Sequence, residues 1–316
     1  MPQSSGDPET ALNAAFVRNG VLSGVLAFSM WGAFPIYFKI ADGVSALEML
    51  AHRIVWAVPF GALIILMRRQ WPQVRTILGD RRTLGLLCVS AAFITVNWLV
   101  YIWAVQNEQI FQASLGYYIN PLLLVVAGYL FLGERLRRLQ SAAVVLAAGG
   151  VAVLAISGAQ FPFIALTLAA SFTVYGLVRK RVVVGAMPGL FIETLVLLPI
   201  AAVYLWRLIG SGAAAFGTHD LPLAGLLLLA GPLTVLPLLF FAISARRLRL
   251  ATIGFLQFIG PTGQFLIGVY YGEPLSVPHM VCFGMIWTAV AVFVFDAVRP
   301  REPVRKPAGA SPTPRQ

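Results

Sequence analysis

The sequence predicts an all-α integral membrane protein of ten transmembrane helices, arranged as two inverted five-helix repeats. Three observations predict it. The 316 residues are 59% hydrophobic and 11% charged, against about 25% charged in soluble domains. Apolar runs of 18 residues or more recur, each long enough to cross roughly 30 Å of hydrocarbon. Finally, Gly133-Glu134-Arg135-Leu136 and Gly272-Glu273-Pro274-Leu275 each end such a run. Upstream, Ala113-Ser114-Leu115-Gly116 is echoed by Ala251-Thr252-Ile253-Gly254, and Pro121 by Pro261. An ordered set of echoes marks an internal duplication.

The runs fall at 20–40, 46–67, 83–105, 110–132 and 139–157 in the first half. In the second they fall at 161–178, 186–206, 221–243, 250–272 and 278–295. They must be helices, because hydrocarbon leaves no partner for open backbone groups. The expected organisation is an N-terminal cytoplasmic tail (1–18), a first repeat (19–158), a second repeat (159–297) and a basic cytoplasmic tail (298–316). Both tails read as disordered from their polar, proline-containing composition. The first run is too long for a signal-peptide core and reads as a retained helix.

The net charge of +11 is distributed as a membrane topology. With the N-terminus inside, twenty of the 23 Lys and Arg fall in alternate, inside segments, among them Arg68, Arg69, Arg75, Arg179, Arg246 and Arg247. Outer loops keep Lys39 and Arg207, and Arg53 lies within a helix. This positive-inside bias predicts both termini in the cytoplasm and accounts for the charge without a nucleic-acid partner. The expected partners are the lipid bilayer and a small-molecule substrate. Cys88 and Cys282 lie in apolar runs and read as packing residues, with neither a disulfide framework nor a metal site.

Five helices per half is odd, so the second half must enter from the opposite face. Arg53 lies six residues before Pro59, and Glu193 six before Pro199; Trp31-Gly32 matches Tyr175-Gly176. Inverted repeats are a recurring plan of transporters, with the site near the midplane.

Ionisable groups in hydrocarbon are costly and mark function. Arg53 and Glu193 each lie about seven residues, roughly 10 Å, inside their helices. Entering from opposite faces, they differ in height, so a direct salt bridge is not the default. Arg53 reads as a cavity-facing cation for an anionic substrate group or a partner carboxylate. Glu193 reads as a proton-coupling carboxyl. The alternative is that each is satisfied locally and only pins its helix. Glu48 reads as interfacial, within reach of His52, and Lys39 as a snorkelling helix end.

Polar and aromatic cavity candidates are Trp31, Asn97, Tyr101, Tyr118, Asn120, Tyr175, Gln257 and Gln264. Asn97 and Tyr101 share a helix face at i, i+4, and Gln257 and Gln264 flank Pro261 on another. These groups also serve as interhelical glue. Glu134 and Glu273 are gating or helix-end candidates, with capping the stronger reading. Ala147-Ala148-Gly149-Gly150 permits close helix packing, within the monomer or in a homodimer.

Asn97-Trp98-x-x-Tyr101-x-Trp103-Ala104-Val105, Ser114-Leu115-Gly116-Tyr117-Tyr118-Ile119-Asn120-Pro121, His52-Arg53-x-x-Trp56 and Gly254-x-x-Gln257-x-x-Gly260-Pro261-Thr262 together resemble the RarD permeases. These belong to the EamA branch of the drug/metabolite transporter superfamily. The resemblance spans roughly residues 18–296. It implies a ten-helix inner-membrane carrier with a central cavity between its halves, handling small metabolites as an exporter. Here the second Gly-Glu is followed by proline and the tail is longer and basic.

An integral membrane enzyme would need a metal or carboxylate cluster, and His52, His219 and His279 are scattered. A channel would need a repeated filter. No phosphate-binding Gly-x4-Gly-Lys-Ser/Thr loop is present, so no nucleotide cofactor is expected and energy must come from an ion or substrate gradient.

Overall fold

The computed structural model describes residues 8–132, 137–157, 161–217, 221–248, 252–253 and 256–298. The helices are α1 (Pro8–Ile40), α2 (Ala46–Met67), α3 (Trp71–Gly79), α4 (Arg81–Gln106), α5 (Ile110–Leu132) and α6 (Arg138–Ile156). They continue with α7 (Phe163–Arg181), α8 (Ala186–Gly210), α9 (Leu221–Ala245), α10 (Ile259–Tyr270) and α11 (Val277–Val298). Among the described residues, nine helices are long and apolar enough to cross a membrane, and no strand is present.

Three expectations change, and one short helix is added. The run 250–272 is not one continuous helix: Gln257 and Phe258 form a turn, and α10 follows. Pro261 has no N–H to bond the Gln257 carbonyl, and Gly260 beside it is a weak helix former. Residues 8–18 are helical rather than disordered; Pro8 suits a first helical turn and Thr-Ala-Leu-Asn-Ala-Ala continues it. The loop after α2 contains the short helix α3. It is separated from α4 by Asp80, whose carboxylate accepts from the Arg82 amide at 3.0 Å and the Thr83 hydroxyl at 2.5 Å. Cys88 is exposed on α4, whereas Cys282 is buried.

The helices pack mainly across the halves. Helix α2 lies on α8, α5 on α10 and α6 on α11. Helix α4 lies on α7 as α9 lies on α1; α5 lies on α7 as α10 lies on α1; α2 meets α9 as α8 meets α4. These pairings interconvert when each helix is exchanged for its counterpart in the other half. Helix α5 is central, with 76% of its span buried, whereas α6 and α11 are peripheral at 22% each. Large apolar side chains such as Val145, Ile200 and Trp206 face outward, as lipid requires and water would not allow.

Two crossings depend on glycine. A Cβ on Gly231 of α9 would collide with the Trp56 carbonyl of α2, and one on Gly116 of α5 with the Ala165 carbonyl of α7. Gly149 and Gly150 likewise pack against Met285 and Cys282 of α11 in the same chain.

Carboxylates tie one end of the bundle. Glu273 accepts from the Ile110 and Phe111 amides at 2.8 and 3.0 Å, satisfying the exposed donors at the start of α5. Glu48 accepts from the Ala215 and Phe216 amides at 2.8 and 3.3 Å, and sits 3.9 Å from His52. At the other end Arg137 pairs with Asp296 at 3.0 Å.

Gly231→Ala should cost about 1–3 kcal/mol by forcing α2 and α9 apart. Gly284→Ala, where the added methyl meets nothing within 4 Å, should not; thermal unfolding in detergent separates the two. Glu273→Ala should cost about 0.5–2 kcal/mol and speed hydrogen exchange at the Ile110 and Phe111 amides.

Candidate functional site

Arg53 is 4% exposed in α2. Its Nε donates to Thr234 Oγ1 of α9 at 3.1 Å, and that hydroxyl donates to the Ala230 carbonyl at 2.7 Å. The guanidinium carbon lies 4.5 Å from the centre of the Trp98 ring, 5.5 Å from Phe34 and 5.8 Å from Phe38. Aromatic faces carry negative charge density and partly replace the lost hydration of a buried cation. Nη1 has no hydrogen-bond partner among the described residues, and Arg53 has no ion-pair partner among them.

Tyr101 and Asn97 of α4 complete one wall. Tyr101 packs on Phe38 at 5.9 Å and on Tyr117 at 5.6 Å, and its buried hydroxyl is unpartnered among the described residues. Tyr117 donates to Asn97 Oδ1 at 3.0 Å; the Asn97 amide donates to the Leu168 carbonyl at 2.9 Å and Ser171 at 3.0 Å. Asn97 is therefore the linker that fixes α4, α5 and α7 together behind the Arg53 wall. Tyr37 anchors α1 to α9 through the Leu226 carbonyl at 2.9 Å.

Glu193 forms a separate centre. It is fully buried in α8. Ser90 of α4 donates to Oε1 at 2.5 Å, Tyr175 of α7 lies 3.5 Å from Oε2, and Arg179 Nη1 lies 3.7 Å from Oε1. Arg179 crosses directly over Gly189, where any Cβ would overlap the guanidinium. Arg53 and Glu193 thus have different partners. Each is nevertheless met by a hydroxyl from the third long helix of the opposite half: Thr234 on α9, and Ser90 on α4.

The other candidates are dispersed. Tyr118 points away from Tyr117, hydrogen-bonds Thr262 at 2.6 Å and packs with Phe258, Phe283 and Trp287. Asn120 accepts from Thr173 at 3.2 Å. The Trp31 carbonyl accepts from Gln264 at 3.3 Å, and the Trp31 ring packs on Phe28 and Phe241. Gln257 sits in the turn before α10, so it does not share a continuous helix face with Gln264. Glu273 is the cap described above, and Glu134 lies outside the described residues. Among the described residues no His, Cys, Asp and Glu cluster could hold a metal.

Sequence reading missed Tyr117, Thr234, Ser90 and Arg179. Arg179 was counted with the loop charges, but α7 continues to Arg181 and turns this side chain inward. A cavity of about 200 Å³ lies nearby, lined by Arg68, Gln70, Gly185, Ala186, Met187, Phe241 and Arg246. Arg179 Nη2 reaches the Gly185 carbonyl at 3.5 Å, linking this cavity's rim to Glu193.

Thr234→Val should cost about 1.5–3 kcal/mol, because it strips the acceptor from a buried charged donor. Thr234→Ser should restore most of it, read by thermal unfolding in detergent.

Residues 18–156 match the EamA-like transporter family. Protein RarD of Salmonella typhi is 46% identical over 288 residues, 91% of this chain and 98% of that protein. An uncharacterized transporter of Vibrio cholerae is 44% identical over 290 residues, 92% of this chain and 96% of its own. A solved crystal structure at 18% identity shares the fold, with a TM-score of 0.60 over 89% of this chain and 99% of that one. Apolar helices, cross-half packing and relatives matched nearly end to end agree, and the chain belongs to the RarD permeases of the EamA/drug–metabolite transporter family, membrane transporters rather than enzymes.

Proposed function

We propose that this transporter is a secondary-active, proton-coupled exporter of a small metabolite or drug-like molecule, working by alternating access in the bacterial inner membrane with both termini cytoplasmic. The observation that carries this reading is the proton arrangement around Glu193. The Ser90 hydroxyl has one proton and two acceptors: the Leu87 carbonyl at 3.0 Å and Glu193 Oε1 at 2.5 Å. It serves one at a time. A protonated Glu193 donates to Ser90, which then donates to Leu87. An ionised Glu193 accepts from Ser90 and is balanced by Arg179 at 3.7 Å. Both protonation states are satisfied by rotating one hydroxyl, which suits a proton carrier.

The route for that proton is the arginine-bearing end. The 200 Å³ cavity there is bordered by Gly185, which Arg179 also touches. By the positive-inside bias this end is cytoplasmic. Protons entering from outside and released there would drive substrate outward. Two halves packed on one another, with helix pairings that interconvert between them, support a transporter that would work by alternating access.

The Arg179–Glu193 pair also favours a second reading, in which it is a permanent lock and the protein an uncoupled facilitator or channel. Purified protein in sealed liposomes, screened with a metabolite and antibiotic panel under an imposed pH gradient, separates them. Gradient-driven uptake by wild type should fall to background in Glu193→Gln. Uptake that persists without a gradient and survives Glu193→Gln means a facilitator.

A further inference from the structure

We infer that Arg53 and Tyr101 form the substrate anchor, and that it takes a monocarboxylate carrying an apolar or aromatic body. The inference rests on the transporter reading above and names its substrate class. Arg53 brings a full positive charge into the bundle, and no carboxylate among the described residues neutralises it; Glu193 is paired with Arg179 instead. Its Nη1 is buried with no partner among those residues, and so is the Tyr101 hydroxyl. Both side chains are more than nine-tenths buried. Both pack on Phe38, the guanidinium at 5.8 Å and the phenol ring at 5.9 Å, so the two side chains that carry the orphan donors share one aromatic neighbour.

The geometry selects the anion. The guanidinium Nη1 and the phenol O–H are two separate donor groups, which together suit the two oxygens of a carboxylate. A single cation balances a monoanion and leaves a phosphate dianion under-compensated. Nε is taken by Thr234, and the guanidinium lies over the Trp98 ring. Around it lie Phe34, Phe38 and Tyr117, rings that favour an apolar or aromatic body behind the carboxylate. Leaving two buried donors unsatisfied costs stability that a ligand can recover.

The test is equilibrium binding to the detergent-solubilised full chain, with no gradient, so that it is independent of proton coupling. The probes are acetate, hexanoate, phenylacetate, the neutral amide phenylacetamide, and inorganic phosphate. Tryptophan fluorescence reads binding, with Trp98→Phe to assign the signal, and isothermal calorimetry gives affinity. Hexanoate and phenylacetate should bind, acetate more weakly, and phenylacetamide and phosphate not measurably.

Arg53→Lys should weaken phenylacetate binding by about 10–100-fold, because a compact ammonium lacks the planar fork that holds Thr234 through Nε while presenting Nη1 to the ligand. Tyr101→Phe should weaken it by about 2–10-fold while raising the unfolding temperature, since it deletes an unsatisfied buried hydroxyl. A purely structural Tyr101 would not give opposite signs. The inference is overturned if no carboxylate binds, if phenylacetamide or phosphate binds as well as phenylacetate, or if affinity survives Tyr101→Phe. Loss of gradient dependence in liposomes with this binding intact would refute coupling alone; binding lost with coupling intact would refute the anchor alone.

Discussion

A charge in hydrocarbon costs about 2.5–3.5 kcal/mol on insertion scales, and the second long helix of each half carries one such group, Arg53 and Glu193. Neither is answered from its own half alone. Arg53 finds Thr234, and Glu193 finds Ser90, in each case a hydroxyl on the third long helix of the other half. The cost of burial is thus offset partly within each half, by Trp98 beside Arg53 and by Arg179 and Tyr175 beside Glu193, and the offset is completed only when the halves are docked. These two clasps hold α2 against α9 and α8 against α4, the crossings around which the remaining helices are arranged.

The clasps are alike in position and unlike in chemistry. The cation is wrapped in aromatic rings and keeps an unused donor, whereas the carboxylate is ringed by Ser90, Tyr175 and Arg179. The proposed anion anchor and the proposed proton site would therefore lie on the same pair of packed helices, α2 and α8. Coupling between them would need no long relay, because a shift of α8 against α2 would change both environments together. Ends tied by Glu48 and Glu273 at one side, and a cavity beside Arg68 and Arg246 at the other, make the two sides of the bundle unequal.

The site was only partly legible in the sequence. Arg53 and Glu193 stand out because a charge inside an apolar run is costly and must be met by a partner or a function. Asn97 and Tyr101 follow from their i, i+4 spacing. Tyr117 and Tyr118 are adjacent, and nothing in their neighbours says which faces Arg53; helical geometry puts them about 100° apart, and packing against α4 or α10 decides. Arg179 was concealed by its two basic neighbours, which do belong to a charged helix end.

By itself the sequence determined the membrane class, the apolar runs, the orientation bias and the family motifs. Those properties sum along the chain: hydropathy and charge act residue by residue against lipid and water, whatever the neighbours. Tertiary structure alone decided who partners whom. Thr234 lies 181 residues from Arg53, and Ser90 lies 103 from Glu193. At such separations only the docking of one half on the other brings donor and acceptor together. The break at Gln257 belongs to both levels: Pro261 removes the donor, but the packing of α10 on α1 and α5 sets what surrounds the freed carbonyl.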